Sequence, residues 1–549
     1  SDVRRAAVNV VRLMQRVGAF ADGKPGDETT RDSPDDVGRV RTAAACGIVL
    51  LRNEQVGPTP LLPLDVTSLK RVAVIGPNAA IGQPMGGGSA HVTPTAVAHP
   101  LDSLRRRLAP LGIEIVHRPG CNINKRLPEL DPRLCGPIRA EYFDDPDDLD
   151  DRAAVPVRSG SAAARTIWVK DPVRRADSNP RFGARLSTTF TPDVSGTWRV
   201  GVESVAPTRL LLDGEVVLDN ESLPTGGSFF GSGRAELAMP VELDAGRGYV
   251  LEVEVRHQPT GQGLGGVSIG AQAPVTGTML DDAVAAASGA DVSVIVVGTN
   301  ADWECEGWDR DSLALPGDQD ELISRLAAAG KQTVVVINAG SPVSMPWLDQ
   351  VDAVLMAWFP GQEMGEAIAD VLLGEIEPQG RLPVSFPARL EDTPAFEHHP
   401  GRNGVANYAE GRLIGYRWYD TVGRQPVFPF GFGLGYARVV VTGARRSGHG
   451  AIDVDLRNES DRDGVQVVQV YAAGLDRPRA GADEPAQQLV GFTKAAVPAG
   501  ATETVTVELD PRTAQTWSVD AHEWVRAAGS FELRIGTSSR DFAVRLPYD

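Results

Sequence analysis

The run LDDAVAAASGADVSVIVVGTNADWECEGWDRDSLALPGDQDELI, residues 280–323, changes periodicity twice. Leu280 to Ala290 has the Ala-rich, one-sided pattern of a helix. Val292 to Val297 follows as a run β-branched at every position but Ser293, too short for a helix core and with no polar alternation, which predicts a strand buried on both faces. After a charged loop, DQDELISRLAAAG (318–330) returns to helical spacing. A buried strand flanked by helices predicts a mainly parallel sheet with helices on both faces.

The same rhythm extends outward. KQTVVVINAG (331–340) and VDAVLMAWFPG (351–361) read as strands and EMGEAIADVLLGE (363–375) as a helix. Upstream, DVGRVRTAAACGIVLLRNE (36–54) reads as a helix, RVAVIGPNA (71–79) as a short strand ending in a turn, and LDSLRRRLAPLGIEIVHRPG (101–120) as helix then strand. Between the two halves the spacing drops to two. RLSTTFTPDVSGTWRVGVES (185–204), TRLLLDGEVVLD (208–219) and YVLEVEVRH (249–257), with Gly, Asp and Pro turns, predict an antiparallel β-sandwich inserted into the α/β unit. A second all-β segment closes the sequence, with VQVVQVYAAG (465–474) and SFELRIGTS (530–538) among its strands, at the strand density of an immunoglobulin- or fibronectin-like sandwich.

A chain of 549 residues exceeds one ordinary core, and its formal net charge of −18 argues against nucleic-acid binding and against attraction to an anionic membrane. No apolar run reaches the roughly 18 residues of a membrane span. The four cysteines (46, 121, 135 and 305) and eight histidines have no metal-site spacing, so neither metal nor cofactor is expected. Cys121 and Cys135 are compatible with a closed loop or with two unpaired thiols.

Several segments invite a functional reading. RVAVIGPNA lacks the G-x-G-x-x-G spacing of a dinucleotide fingerprint and reads as a tight turn. Gly86 to Gly88 in MGGGSA would allow close approach of a ligand to the backbone. NYAEGRLIGYRWYD (407–420) is either an aromatic sugar platform or a packed connection between domains, and EHHP (397–400) reads as a surface loop. Phe229 and Phe230, in GGSFFGSG, are candidates for a ligand-contacting wall. The loop 299–318 follows a buried strand, and α/β sheets bind ligands beyond the carboxyl ends of their strands. Glu304 and Glu306 stand there, Asp309 and Arg310 are placed to tie the turn by charge-assisted hydrogen bonds, and Trp303 and Trp308 to shield a carboxyl and raise its pKa. These residues alone leave open whether the loop is a site or a salt-bridged surface turn.

The order of motifs resolves that choice. GIVLLRNE, LLPL, RVAVIGPNA, GTNADWECEGWDRDSLALPGDQDELI, VVVINAGSPVSMPW, AWFPGQEMGEAIADVLLGEIEPQGRLPVSFP and YAEGRLIGYRWYD together resemble glycoside hydrolase family 3, typically β-glucosidases, over essentially the whole length. GTWRVGVESVAPTRLLLDG, in the insert, resembles a PA14 module, and the tail resembles the family's fibronectin type III-like domain. The resemblance implies five segments. Residues 1–35 are the last helix of a (β/α)8 barrel and a linker, with Val8, Val11, Leu13, Met14 and Val17 apolar. Residues 36–136 and 277–425 are the two parts of an α/β sandwich, 137–276 a PA14-like β-sandwich, and 426–549 a linker and the fibronectin type III-like domain.

The function so implied is a retaining exo-glycosidase removing terminal β-D-glucosyl residues from oligosaccharides or small glucosides, by two carboxyl groups and a covalent intermediate. The glutamate of EGWDR, Glu306, matches the acid/base position, with Glu304, Asp309 and Arg310 as supports and Trp303, Trp308, Phe229 and Phe230 as substrate contacts. The family's nucleophile is an aspartate in an S-D-W-like motif on the barrel, and these 549 residues contain no such motif. The expected partners are therefore a carbohydrate or glucoside substrate and a nucleophile-bearing barrel from the same or another chain, with homo-oligomerisation left open. Alternatives are a β-xylosidase or β-N-acetylglucosaminidase of the family, or a non-catalytic carbohydrate-binding protein. Secretion is the family's expectation, with a cytoplasmic location as the alternative.

Overall fold

The computed structural model describes residues 2–20, 32–169, 172–173, 181–228, 233–258, 264–274, 278–306, 309–448, 450–474, 484–527 and 529–548. Its central sheet has six strands, β1 (Val49–Asn53), β2 (Arg71–Ile75), β3 (Glu114–Arg118), β4 (Val292–Gly298), β5 (Gln332–Asn338) and β6 (Ala353–Met356), in the order β1-β6-β5-β4-β2-β3. All neighbours are parallel except β1 against β6. The six C-terminal residues of 36–54 before Glu54 thus depart from the helical reading. The helix there ends at Gly47, and Val49–Asn53 pairs with β6 as an antiparallel edge strand. A short apolar run fits a buried strand and a buried helix equally, and only the pairing partner decides.

Both faces of the sheet are covered, which is why its strands lack polar alternation. On one face Val72, Val74, Val294, Val296, Val334, Val336 and Leu355 meet α2 (Pro34–Gly47), α3 (Pro100–Leu108) and α6 (Met364–Leu372). On the other, Ala73, Ile75, Ile295, Val297, Val335 and Ile337 meet α4 (Met279–Ser288) and α5 (Gln319–Ala328). Pro at the first turn starts α2 and α3, and the Ser33 hydroxyl caps α2 by accepting from the Asp36 N–H at 3.2 Å. By contrast α1 (Asp2–Arg16) buries no residue, and Val8, Val11, Leu13 and Met14 lie exposed along it.

The segment between β3 and α4 forms two antiparallel sheets closed over an aromatic core of Trp168, Phe182, Phe190 and Trp198. The C-terminal segment forms a three-stranded and a four-stranded sheet around Val454, Leu456, Val470, Leu533 and Ile535. It is joined to the α/β unit through α7 (Tyr416–Val422). Tyr416 stacks on Phe430 with ring centroids 4.5 Å apart and accepts from the Leu489 N–H at 2.8 Å. The aromatic run 416–420 is therefore a packed connection, while Tyr408 is exposed. All four cysteines are free thiols. Among the described residues no helix is long and apolar enough to cross a membrane.

Candidate active site

Loops leaving the carboxyl ends of β2, β4, β5 and β6 converge at one edge of the sheet. Their floor is Asn338, fully buried at the end of β5. Its carboxamide donates to the carbonyls of Gln83 (2.9 Å) and Trp358 (2.7 Å) and accepts from the Gln83 N–H (2.7 Å), tying the loops after β2 and β6 to β5. Gly298 ends β4 against this residue, where a Cβ would lie 1.8 Å from the Asn338 carbonyl oxygen.

Above this floor Glu306 stands exposed and is held by Ser89 from the loop after β2. The Ser89 N–H and hydroxyl both donate to Oε2 of Glu306. Donors aimed at a carboxylate favour its ionised form, and the Glu306 pKa falls below its ordinary value, the hydroxyl contributing most. The sequence reading had tryptophans raising this pKa. The carboxyl is instead at the surface, where hydrogen bonds outweigh desolvation. The three glycines before Ser89 make this approach feasible. Gly88 adopts φ +75°, and a Cβ there would sit 2.8 Å from the Glu306 Cβ, while Gly87 donates to the Glu304 carbonyl at 2.9 Å. The backbone approach anticipated at Gly86 to Gly88 is thus made by the acidic loop itself.

Glu304 turns the other way. It accepts from the Gly340 N–H (2.8 Å), the Ser341 hydroxyl (2.9 Å) and the Arg310 guanidinium (3.2 Å), all close to the end of β5 or on its own loop. Both of its oxygens are engaged, which makes it a clamp between its own loop and the end of β5. Arg310 is mostly buried, with 11% of its side chain exposed, and also donates to the Ala314 carbonyl at 3.1 Å; burial draws its pKa below the ordinary value. Asp309 lies apart from Glu306, paired with His399 at 3.0 Å on the surface, so the EHHP segment is in contact with the acidic loop.

Trp303 is an anchor. Its indole N–H donates to the Ile123 carbonyl at 2.6 Å, and the Lys125 ammonium lies 3.8 Å over its ring. Trp308, Phe229 and Phe230 lie outside the described residues. Among the described residues no cluster of His, Cys, Asp and Glu is suited to hold a metal. The sequence reading did not single out Ser89, Ser341 or Asn338. Their signal is positional, since each sits within or just beyond the carboxyl end of a strand or its following loop, where Gly-Ser turns such as GGGSA and NAGS offer backbone and hydroxyl donors. Chemically the arrangement presents an exposed carboxyl whose hydroxyl partner can donate to its ionised form and accept from its protonated form.

Comparison with known proteins agrees with this architecture. Residues 48–436 match the glycosyl hydrolase family 3 C-terminal domain, and residues 466–539 a fibronectin type III-like domain. A beta-glucosidase of Rhizobium radiobacter is 36% identical over 568 residues, covering 100% of this chain and 67% of that protein. A probable beta-glucosidase H of Aspergillus clavatus is 33% identical, over 94% of this chain and 63% of its own length. The crystal structure of a beta-glucosidase from Kluyveromyces marxianus in complex with glucose superimposes with a TM-score of 0.87 at 28% identity, covering 98% of this chain and 65% of that one. A beta-glucosidase from Streptomyces venezuelae in complex with D-glucose gives 0.67 at 29% identity, covering 98% and 63%. The chain spans about two thirds of the length of these relatives. With a family match over most of its length and relatives more than 30% identical across nearly all of it, the chain belongs to glycosyl hydrolase family 3.

Proposed function

We propose that this chain supplies the acid/base half of a retaining β-glucosidase site, with Glu306 as the proton donor. The observation that carries the reading is the Glu306 carboxyl itself. It stands exposed beyond the carboxyl end of β4, partnered among the described residues by a hydroxyl and an N–H, in a chain whose relatives are named beta-glucosidases. Glu304, the competing glutamate, is spent on three donors.

In this reading Glu306 protonates the departing glycosidic oxygen, while an aspartate supplied from outside these 549 residues attacks the anomeric carbon and forms a glycosyl-enzyme. Glu306, now ionised, takes a proton from water as that water releases the sugar. The carboxyl pair of such an enzyme lies roughly 5–5.5 Å apart. A (β/α)8 barrel, in the same polypeptide or another, is the proposed source of the aspartate. The unburied apolar side of α1 supports it, since Val8, Val11, Leu13 and Met14 suit packing against such a neighbour. The inserted β unit is proposed to be a PA14-like module.

The test is Glu306→Gln in the active enzyme that contains this chain. Glucosides with poor leaving groups should lose about 10²–10⁴-fold in rate, because they need the proton, while activated aryl glucosides should lose far less. Equal losses on both classes would remove Glu306 from the acid/base role.

A further inference from the structure

Residues 121–130, CNINKRLPEL, run between the inserted β unit and the loop that carries Glu306, and they are bonded to both. On the loop side, the Ile123 carbonyl accepts from the Trp303 indole (2.6 Å), Asn124 Oδ1 from the Asn300 carboxamide (2.8 Å), and the Arg126 N–H donates to Asp302 (3.2 Å). Asn300 in turn receives the N–H groups of Trp303 and Glu304 on its carbonyl, both at 3.0 Å. The turn that aims Glu306 is therefore built on a residue held by Asn124.

On the insert side the same segment is seated on a sheet. Leu130 donates to the Ile269 carbonyl (3.1 Å), Ala271 to the Pro128 carbonyl (3.0 Å), and Glu129 bridges Gly270 as an added antiparallel residue. Leu127 fills a socket that exists because two strand residues lack side chains. Gly201 and Gly270 are register partners on neighbouring strands, and a Cβ on them would lie 2.7 and 2.6 Å from Leu127. Glycine in a strand interior costs stability, and its use at paired positions marks a close approach by another segment. Two carboxylates complete the seat. Glu203, 4% exposed, pairs with Arg126 at 2.8 Å, and Glu236 accepts from the Leu127 N–H at 2.8 Å.

We infer that the inserted β unit is a positioning element for Glu306, acting through residues 121–130 as a strap. Leu127 and Arg126 are its positioning residues, the first seated against Gly201 and Gly270 and the second paired with Glu203. The alternative role for an insert beside a site, forming a wall of the substrate pocket, predicts effects on substrate preference. The strap predicts effects on proton donation. The catalytic consequence rests on the assignment of Glu306 above, whereas the mechanical link does not.

Hydrogen exchange on this chain tests the link directly. Leu127→Ala should speed exchange of the Trp303 and Glu304 amides by about tenfold, leave the β5 amides Val334 to Ile337 unchanged, and be rescued by Leu127→Met. Trp303→Phe, which removes the indole donor to Ile123 and part of the ring under Lys125, should speed the same amides from the loop side and so covers a failure of Leu127→Ala to fold. Unchanged exchange at Trp303 and Glu304 in the folded variants would overturn the strap. In the active enzyme, Leu127→Ala should lower kcat for poor leaving groups several-fold more than for activated aryl glucosides, with KM little altered. Loss in KM alone, for every substrate, would overturn positioning in favour of a wall. If Glu306→Gln itself gives no leaving-group difference, the acid/base assignment falls while the exchange result stands.

Discussion

Ser89 donates twice to one oxygen of Glu306, through its N–H at 3.2 Å and through its hydroxyl, across a separation of 217 residues. The two donors differ in what they tolerate. A backbone N–H only donates, so it favours the carboxylate throughout, whereas a hydroxyl rotates and accepts from the protonated acid. Ser89 is thus suited to follow Glu306 through both protonation states.

Ser89→Ala should raise the Glu306 pKa, because the larger of the two causes that depress it is removed. At any pH on the limb a greater fraction is then protonated. The alkaline limb of kcat/KM for substrates with poor leaving groups should move to higher pH. The other charged groups that act on the adjacent Cys305, namely Arg165 on the insert, Arg126 on the strap and Asp302, are unchanged by the substitution. Stability follows the same sign. A depressed carboxyl stabilises above its unfolded pKa and loses that contribution as pH falls through the folded value, so Ser89→Ala should flatten the acid side of the stability profile. Parallel pH–rate and pH–melting curves check both.

Gly88→Ala should damage the site by more than its backbone cost. Gly57 and Gly88 share nearly the same left-handed φ, +73° and +75°, but a Cβ at Gly57 meets nothing within 4 Å, whereas at Gly88 it meets the Glu306 Cβ at 2.8 Å. Gly57→Ala therefore isolates the conformational strain, about 1 kcal/mol. Gly88→Ala adds displacement of the Ser89–Glu306 contact, read as a larger fall in melting temperature and faster exchange at Gly87.

Glu304→Ala should destabilise by about 3 kcal/mol, since it leaves the mostly buried Arg310 guanidinium without its carboxylate. Glu304→Gln, which keeps the shape and an acceptor for Arg310, should cost about 1–2 kcal/mol. Urea denaturation of the two variants measures the difference. A cost of the same size for both would mean that charge has no part in the clamp.

Asn338→Ala should cost about 3 kcal/mol, because the part-buried N–H and C=O of Gln83 and carbonyl of Trp358 lose their partner. The loss should spread to the loops after β2 and β6 while α5 stays protected, which residue-resolved hydrogen exchange reports.

Much of this protein was legible in its residues taken in order. Val292 to Val297 is apolar at every position but Ser293 and buried throughout, and a strand like that needs two covered faces, so the mainly parallel sheet follows from local pattern. The insert and the C-terminal sandwich announce themselves by period two. The acidic loop was marked by its place after a buried strand, and Glu306 was singled out within it by the family resemblance of EGWDR.

What the tertiary structure decided is which partner each polar group meets. Val49–Asn53 is a strand because β6 offers it a ladder. Glu304 and Glu306 are two residues apart and chemically identical, yet one faces Gly340, Ser341 and Arg310 and the other faces Ser89. Trp303 reads as a shield in the chain and is an anchor in the fold, because Ile123 presents a carbonyl to its indole. The physical reason is common to all three. Burial pattern is a property of a segment and repeats along it, so periodicity records it. A hydrogen bond joins residues that may be 217 positions apart, and nothing in the local order of either one encodes the distance between them.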